Sequence, residues 1–294
     1  MRTSLLVLLA LVTACSGEPT PDWVPPDQWG PYGVGVDTVY FTDARDKDLV
    51  MEVWYPAVVP EGDEPDPYEE IEVALDGHRE VPPDRRGAPY PVVAFSHGFM
   101  AIRYQSAFLT EWLASHGYVV VAPDHPNNTI FDIDQDETWR VMLERPGDVR
   151  ASVDELLARS AEPSGRLSSM ASEDGYVVIG HSFGAVTSMV VGGAEPDWAG
   201  VIEHCEQNDA YACKYLGEGL TPEDAEGYET VDDRVLATVP MSPGVWYAFG
   251  EGGANLQDVR EPLVLGGDWD QILDYETEIR PCYEAMDTPK KMGT

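Results

Sequence analysis

The stretch Tyr176-Val177-Val178-Ile179-Gly180-His181-Ser182-Phe183-Gly184-Ala185-Val186 decides how the rest of the chain is read. Its first four residues are continuously apolar, the mark of a strand buried on both faces. A Gly-x-Ser-x-Gly turn follows at once, and residues 183–191 then form an apolar segment of helix length. A serine at such a sharp strand-to-helix turn is held in strained backbone, and neighbouring backbone excludes side chains from the two flanking positions. The turn lifts the hydroxyl to the rim of the sheet, beside the positive end of the helix dipole. Five residues of this pattern are common by chance; a strand before and a helix after make it specific. Ser182 is the candidate nucleophile.

Working outward, residues 91–95, 118–122, 235–239 and 263–265 are further short apolar runs of the buried-strand kind. Residues 105–116 and 149–161 have helix length between them. This alternation predicts an α/β fold with a mostly parallel central sheet flanked by helices. Ahead of it, residues 34–41 and 49–55 alternate apolar and polar positions around a polar turn, as a hairpin does. Residues 61–86 are charged and proline-rich and read as an irregular surface excursion. The acid-rich stretch 197–233 interrupts the rhythm and reads as a small cap insertion.

Two further segments complete a candidate site. Ser96-His97-Gly98-Phe99 ends the strand 91–95, where a loop amide joins that of the residue after the nucleophile as an oxyanion donor. The donors are then the N–H groups of Phe99 and Phe183, and His97 reads as a brace for the loop. Gly266-Gly267-Asp268-Trp269-Asp270 follows the strand 263–265 and carries a carboxylate suited to orienting a catalytic imidazole. Asp270 is the first choice there and Asp268 the second, the latter also suited to capping a turn.

Phe95-Ser96-His97-Gly98-Phe99, the run from Leu113 to His125, the 180–184 elbow and the 262–270 segment together carry a resemblance. The chain from about residue 88 resembles α/β-hydrolases of the platelet-activating-factor acetylhydrolase and dienelactone-hydrolase-like group, and is similar to the bacterial cutinase and polyester hydrolase branch. The resemblance implies a serine ester hydrolase working through an acyl-enzyme without metal or organic cofactor, on a small-molecule, lipid or polymer ester. It also implies Ser182 as nucleophile, Asp270 as triad acid, Phe99 and Phe183 as the oxyanion hole, and Trp246 as a substrate-pocket aromatic.

One departure stands against it. The triad order is serine, acid, histidine, yet all six histidines (78, 97, 116, 125, 181 and 204) precede Asp270. The expectation is an incomplete chain, its last strand missing after an entry at 288–292 and its catalytic histidine beyond residue 294. Such a form would be nearly inactive, since loss of a triad member removes on the order of a million-fold of rate. Cys282 then has a mate in the missing tail. The competing expectation is a catalytically inactive envelope lipoprotein with a binding or scaffold role.

Composition narrows the partners. With 18 Lys+Arg against 53 Asp+Glu the formal net charge is −35, which excludes nucleic-acid binding through a basic footprint and disfavours anionic substrates. Asp132-Ile133-Asp134-Gln135-Asp136 hints at a calcium loop, but Glu137 and Leu143 stand where that loop needs Gly and a bidentate Glu. No metal site is expected. Residues 1–14 read as a signal peptide whose Val12-Thr13-Ala14-Cys15 end resembles a bacterial lipobox, with Cys15 as the lipidation site. Residues 15–30 then form a proline-rich spacer and 31–294 the exported domain, attached to the cell envelope through its lipid, at the outer membrane if the host is didermic. Cys205 and Cys213 fit a disulfide in that oxidising compartment.

Overall fold

The computed structural model describes residues 20–65, 68, 76–208, 213–216, 221, 223, 227–228, 230–286 and 291–293. The signal segment, Cys15 and part of the 197–233 insertion lie outside the described residues. Among the described residues nine strands form one sheet in the order β3-β1-β2-β5-β4-β6-β7-β8-β9. The hairpin is β1 (Gly33–Thr42) and β2 (Asp48–Ala57), in antiparallel register from Gly33 opposite Ala57 to Thr42 opposite Asp48. From β5 (Val119–Pro123) the neighbours β4 (Tyr90–Ser96), β6 (Ala171–His181), β7 (Val235–Met241), β8 (Leu263–Leu265) and β9 (Lys291–Gly293) run parallel to one another. A mostly parallel sheet flanked by helices is the α/β-hydrolase arrangement.

Strand periodicity explains why the apolar runs are unbroken. Val92, Ala94, Val119 and Val121 enter one core cluster with Val149, Val153 and Leu156 of α2 (Thr138–Ala161). Their neighbours Val93, Phe95, Val120 and Ala122 enter another cluster with Ala107 and Ala114 of α1 (Ala107–Ser115). Successive side chains point to opposite faces, and a helix covers each face, so neither set can be polar. The helix after the elbow is α3 (Phe183–Val191), as expected to the residue.

Four expectations are corrected. The strand expected to be missing is formed, with Lys291–Gly293 in register against Leu263–Leu265. The 61–86 excursion is not wholly irregular: Gly77–Arg79 is β3, parallel to β1. It is pinned from α1 by the buried carboxylate of Glu111, which accepts from the Tyr68 hydroxyl and from the amides of Asp76 and Gly77. Helix α2 begins eleven residues before the expected 149, running through Pro146. A proline inside a helix costs one ladder bond, and here the surrounding burial of Leu143, Val149 and Val153 outweighs that loss. Cys282 is a free thiol fully buried on α6 (Arg280–Ala285), where it packs as a small core residue and needs no mate.

The Cys205–Cys213 disulfide is present and joins α4 (Trp198–Gln207) to α5 (Cys213–Leu216). Cations are drawn inward: Arg103 and Arg79 pair with the fully buried Glu52, and Lys47 and Arg45 pair with the fully buried Asp148. Among the described residues no helix is long and apolar enough to cross a membrane. Replacing the fully buried Leu156 by Ala should cost about 2–5 kcal/mol, read as a lower urea midpoint at unchanged slope.

Candidate functional site

The turn from β6 to α3 places Ser182 at φ 54°, ψ −116°, a conformation that side chains rarely adopt. Tertiary contacts hold it there. The Ser182 amide donates to the carbonyl of Met241 on β7, and the Ser182 carbonyl accepts from Ala185 and Val186 to open the helix. A Cβ at Gly180 would lie 1.9 Å from the Gly184 carbonyl oxygen, and one at Gly184 would lie 1.9 Å from the Ser96 carbonyl oxygen. Only glycine fits at either place. The second contact also presses the first turn of α3 directly onto the end of β4. Ser182 is half-buried, and among the described residues no side chain is hydrogen-bonded to its hydroxyl.

The loop after β4 is fixed peptide by peptide. His97 is fully buried, and its Nε2 accepts the backbone N–H of His125, 3.1 Å away. That leaves the proton on Nδ1, which donates to the Gly98 carbonyl at 2.7 Å. In a trans peptide the next N–H points the opposite way, so the Phe99 amide faces away from the imidazole. The preceding amide, Gly98 N–H, donates to Gln105 Oε1 at 2.7 Å, and Gln105 Nε2 donates onward to His181 Nδ1 at 2.9 Å. Gln105 thus ties the loop to the elbow. The rings of Phe99 and Phe183 meet edge to face with centroids 6.1 Å apart, so the two expected oxyanion residues are neighbours.

Asp270 lies at the same end of the sheet, beyond β8. Its carboxylate acts electrostatically on the His181 imidazole, which burial otherwise pushes toward the neutral form. Its Oδ1 also caps its own turn, accepting from the amides of Ile272 and Leu273 at 2.9 Å each. Asp268 is exposed. Trp246 follows β7 on a single turn of 3-10 helix and donates its indole N–H to the Thr277 carbonyl at 3.0 Å. It borders a groove of about 470 Å³ shared with α4, where His204 stacks on Tyr247 with centroids 3.7 Å apart. The acidic loop at 132–136 has a local use: Asp132 accepts from the amides of Asn127 and Thr129, and Asp134 caps the turn that follows.

Sequence reasoning missed a second constellation. The Ser96 hydroxyl donates to His125 Nε2 at 2.9 Å, and His125 Nδ1–H donates to Asp148 Oδ2 at 3.0 Å. This is the donor order of a Ser-His-Asp relay, lying within the chain, and it corrects the expectation that no internal histidine is placed for such a role. All three side chains are fully enclosed. Spacing gave no signal for it, because the three residues come from β4, the loop after β5 and α2, which only the packed fold brings together. Burial holds both His97 and His125 well below the usual imidazole range; coupling to the neighbouring His125 ring and then the Arg145 cation adds to this for His97, and Arg145 foremost for His125.

Comparisons with known proteins find relatives at low identity. A family model for chlorophyllase matches residues 80–192, which include the Phe99 loop and the elbow. Cutinase 2 of Thermobifida cellulosilytica is 25% identical over 205 residues, covering 69% of this chain and 57% of the relative. Cutinase cut1 of Thermobifida fusca is 25% identical over the same length, covering 47% of its own chain. The match thus spans about half the length of these curated relatives. The chain has an α/β-hydrolase-like fold related at low identity to chlorophyllase and cutinase family members.

Because the folded imidazoles resist protonation, the unfolded chain binds protons first as pH falls below about 6.5. Stability should therefore decline as pH falls through about 6.5, by about 1.4 kcal/mol in all per histidine between pH 7.5 and 5.5. A His125→Asn variant, less stable at pH 7.5, should show a flatter profile in thermal melts; an equal slope would contradict the assignment. Gly184→Ala should yield little folded protein, as judged by soluble expression and near-ultraviolet circular dichroism.

Proposed function

We propose that the protein is a carboxylic ester hydrolase in which Ser182 attacks the ester carbonyl. The observation that carries this reading is the strained serine at φ 54° on the β6–α3 turn, set beside a loop whose amide directions are locked. The Phe99 and Phe183 amides receive the tetrahedral oxyanion, usually the largest single contribution in acyl transfer. An acyl-enzyme forms on Ser182 and water releases it, with no metal or organic cofactor in the sequence of steps. Asp270 is the triad acid, its Oδ1 held by the turn. Trp246 is a substrate-pocket aromatic. The low-identity likeness to cutinases and chlorophyllase supports an ester as substrate.

The base is the finer part of the proposal. His97 and His125 are committed on both ring nitrogens, and His181 Nδ1 is taken by Gln105. The serine, acid, histidine order has no counterpart among the six histidines, all of which precede Asp270. A second reading is favoured by the completed hydrogen bonds of Ser96, His125 and Asp148, which would make Ser96 the nucleophile; its enclosure argues for a structural part instead. Attachment to the cell envelope through Cys15 belongs to the same proposal, as does assignment to the acetylhydrolase and dienelactone-hydrolase-like group.

Labelling with a fluorophosphonate, followed by peptide mapping, separates these readings. Ser182 should carry the label, and Ser182→Ala should abolish it and lower p-nitrophenyl ester hydrolysis by about 10⁴–10⁶-fold. Asp270→Asn should lower kcat by about 10²–10⁴-fold. Label on Ser96 would favour the buried relay as the active centre, and no label at all would favour a binding lipoprotein.

A further inference from the structure

The interior beneath the elbow holds a cation that the hydrolytic steps above do not use. Arg145 of α2 is fully buried, and its guanidinium fork reaches every element that carries an oxyanion donor. Nη2 donates to the carbonyl oxygen of His97 and, at 3.1 Å, to the hydroxyl of Ser96. Nη1 donates to Asn128 Oδ1 at 2.7 Å, in the loop after β5, and Nε donates to Thr187 Oγ1 at 3.0 Å on α3. The guanidinium carbon Cζ lies 4.6 Å from the Phe183 ring centroid. None of its four acceptors is charged, and Asp148 compensates it only through space.

We propose that Arg145 is a positioning residue that holds the Phe99 loop in register with the Phe183 end of α3, so that the two oxyanion amides converge. The proposal rests on Ser182 being the nucleophile. Its logic follows from the peptide geometry already described. Anchoring the His97 carbonyl holds one edge of the 97–98 peptide plane; the opposite edge, Gly98 N–H, meets Gln105. The next plane is fixed by the His97 imidazole on the Gly98 carbonyl. Arg145 is thus the first fixed point of a chain of two peptides that ends at the Phe99 amide. The same fork grips α3 four residues after Phe183, so both donors are referenced to one rigid planar group. The Ser96-His125-Asp148 relay supports that point from below: Ser96 spends its proton on His125 and so turns a lone pair toward the guanidinium. Burying a guanidinium among neutral acceptors is costly. A planar fork that fixes several acceptors at once is what Arg provides and Lys does not.

Arg145→Lys and Arg145→Met test it in the full chain. The lysine variant keeps the charge and loses the fork. It should lower kcat on a p-nitrophenyl ester by at least tenfold with KM changed less than threefold, and slow fluorophosphonate labelling of Ser182 in parallel. The methionine variant should lose about 10²–10³-fold in kcat, the size seen when one oxyanion donor is removed. A merely structural role would lower the melting temperature while kcat per folded molecule stayed the same, and that result in Arg145→Lys would overturn the proposal even if Arg145→Met failed to fold. Full labelling of Ser182 in the parent with unchanged kinetics in the lysine variant would sink this inference alone. Absence of label on Ser182 in the parent would overturn the hydrolase reading and this one with it.

Discussion

The close approach of Gly184 to the carbonyl of Ser96 is the contact from which the rest of the site follows. It is possible only because Gly184 has no side chain, and it brings the start of α3 against the end of β4. With those two ends touching, Ser182 must take its positive φ, Phe183 meets Phe99, and the hydroxyl of Ser96 falls into the interior where His125 waits. Strain at one residue is held by packing around it, since backbone of this kind persists only when the surroundings over-determine it.

Beneath that contact lies a polar core of unusual density for an enclosed region. Ser96, His97, His125, Arg145 and Asp148 are all fully buried, yet nearly every donor and acceptor among them is used. Such networks rigidify when satisfied and are costly when broken. Among the described residues the Asn128 amide nitrogen is one of the few buried groups left without a partner, and it borders this core. The arrangement specifies orientation more than it adds stability, in keeping with what buried charges contribute elsewhere.

Much of the fold was legible because buried strands announce themselves as unbroken apolar runs, and the elbow because its glycines are demanded by backbone sterics. Phe183–Val191 and the Leu263–Leu265 strand were read with their true ends. Pro146 misplaced the start of α2, since local propensity argues for a break where tertiary burial sustains a helix. Strand β3 has only three residues, too few to show a period, and its support from Glu111 comes from 34 positions away. The relay was hidden for the same reason: Ser96, His125 and Asp148 are 29 and 23 residues apart, with no motif linking them. His97, by contrast, was read as a loop brace from position alone, and its two backbone partners give that reading its geometry.

The inward pull on the basic side chains carries a consequence for how the molecule meets its surroundings. Arg103, Arg145, Lys47 and Arg79 spend their charge against interior partners, and they come from a total of only 18. The other 14 are outnumbered severalfold by the 53 Asp and Glu, so acidic charge dominates the outer skin. In dilute buffer such particles repel at distances of tens of ångströms, stay dispersed when crowded, and adsorb to positively charged supports until counter-ions shield them.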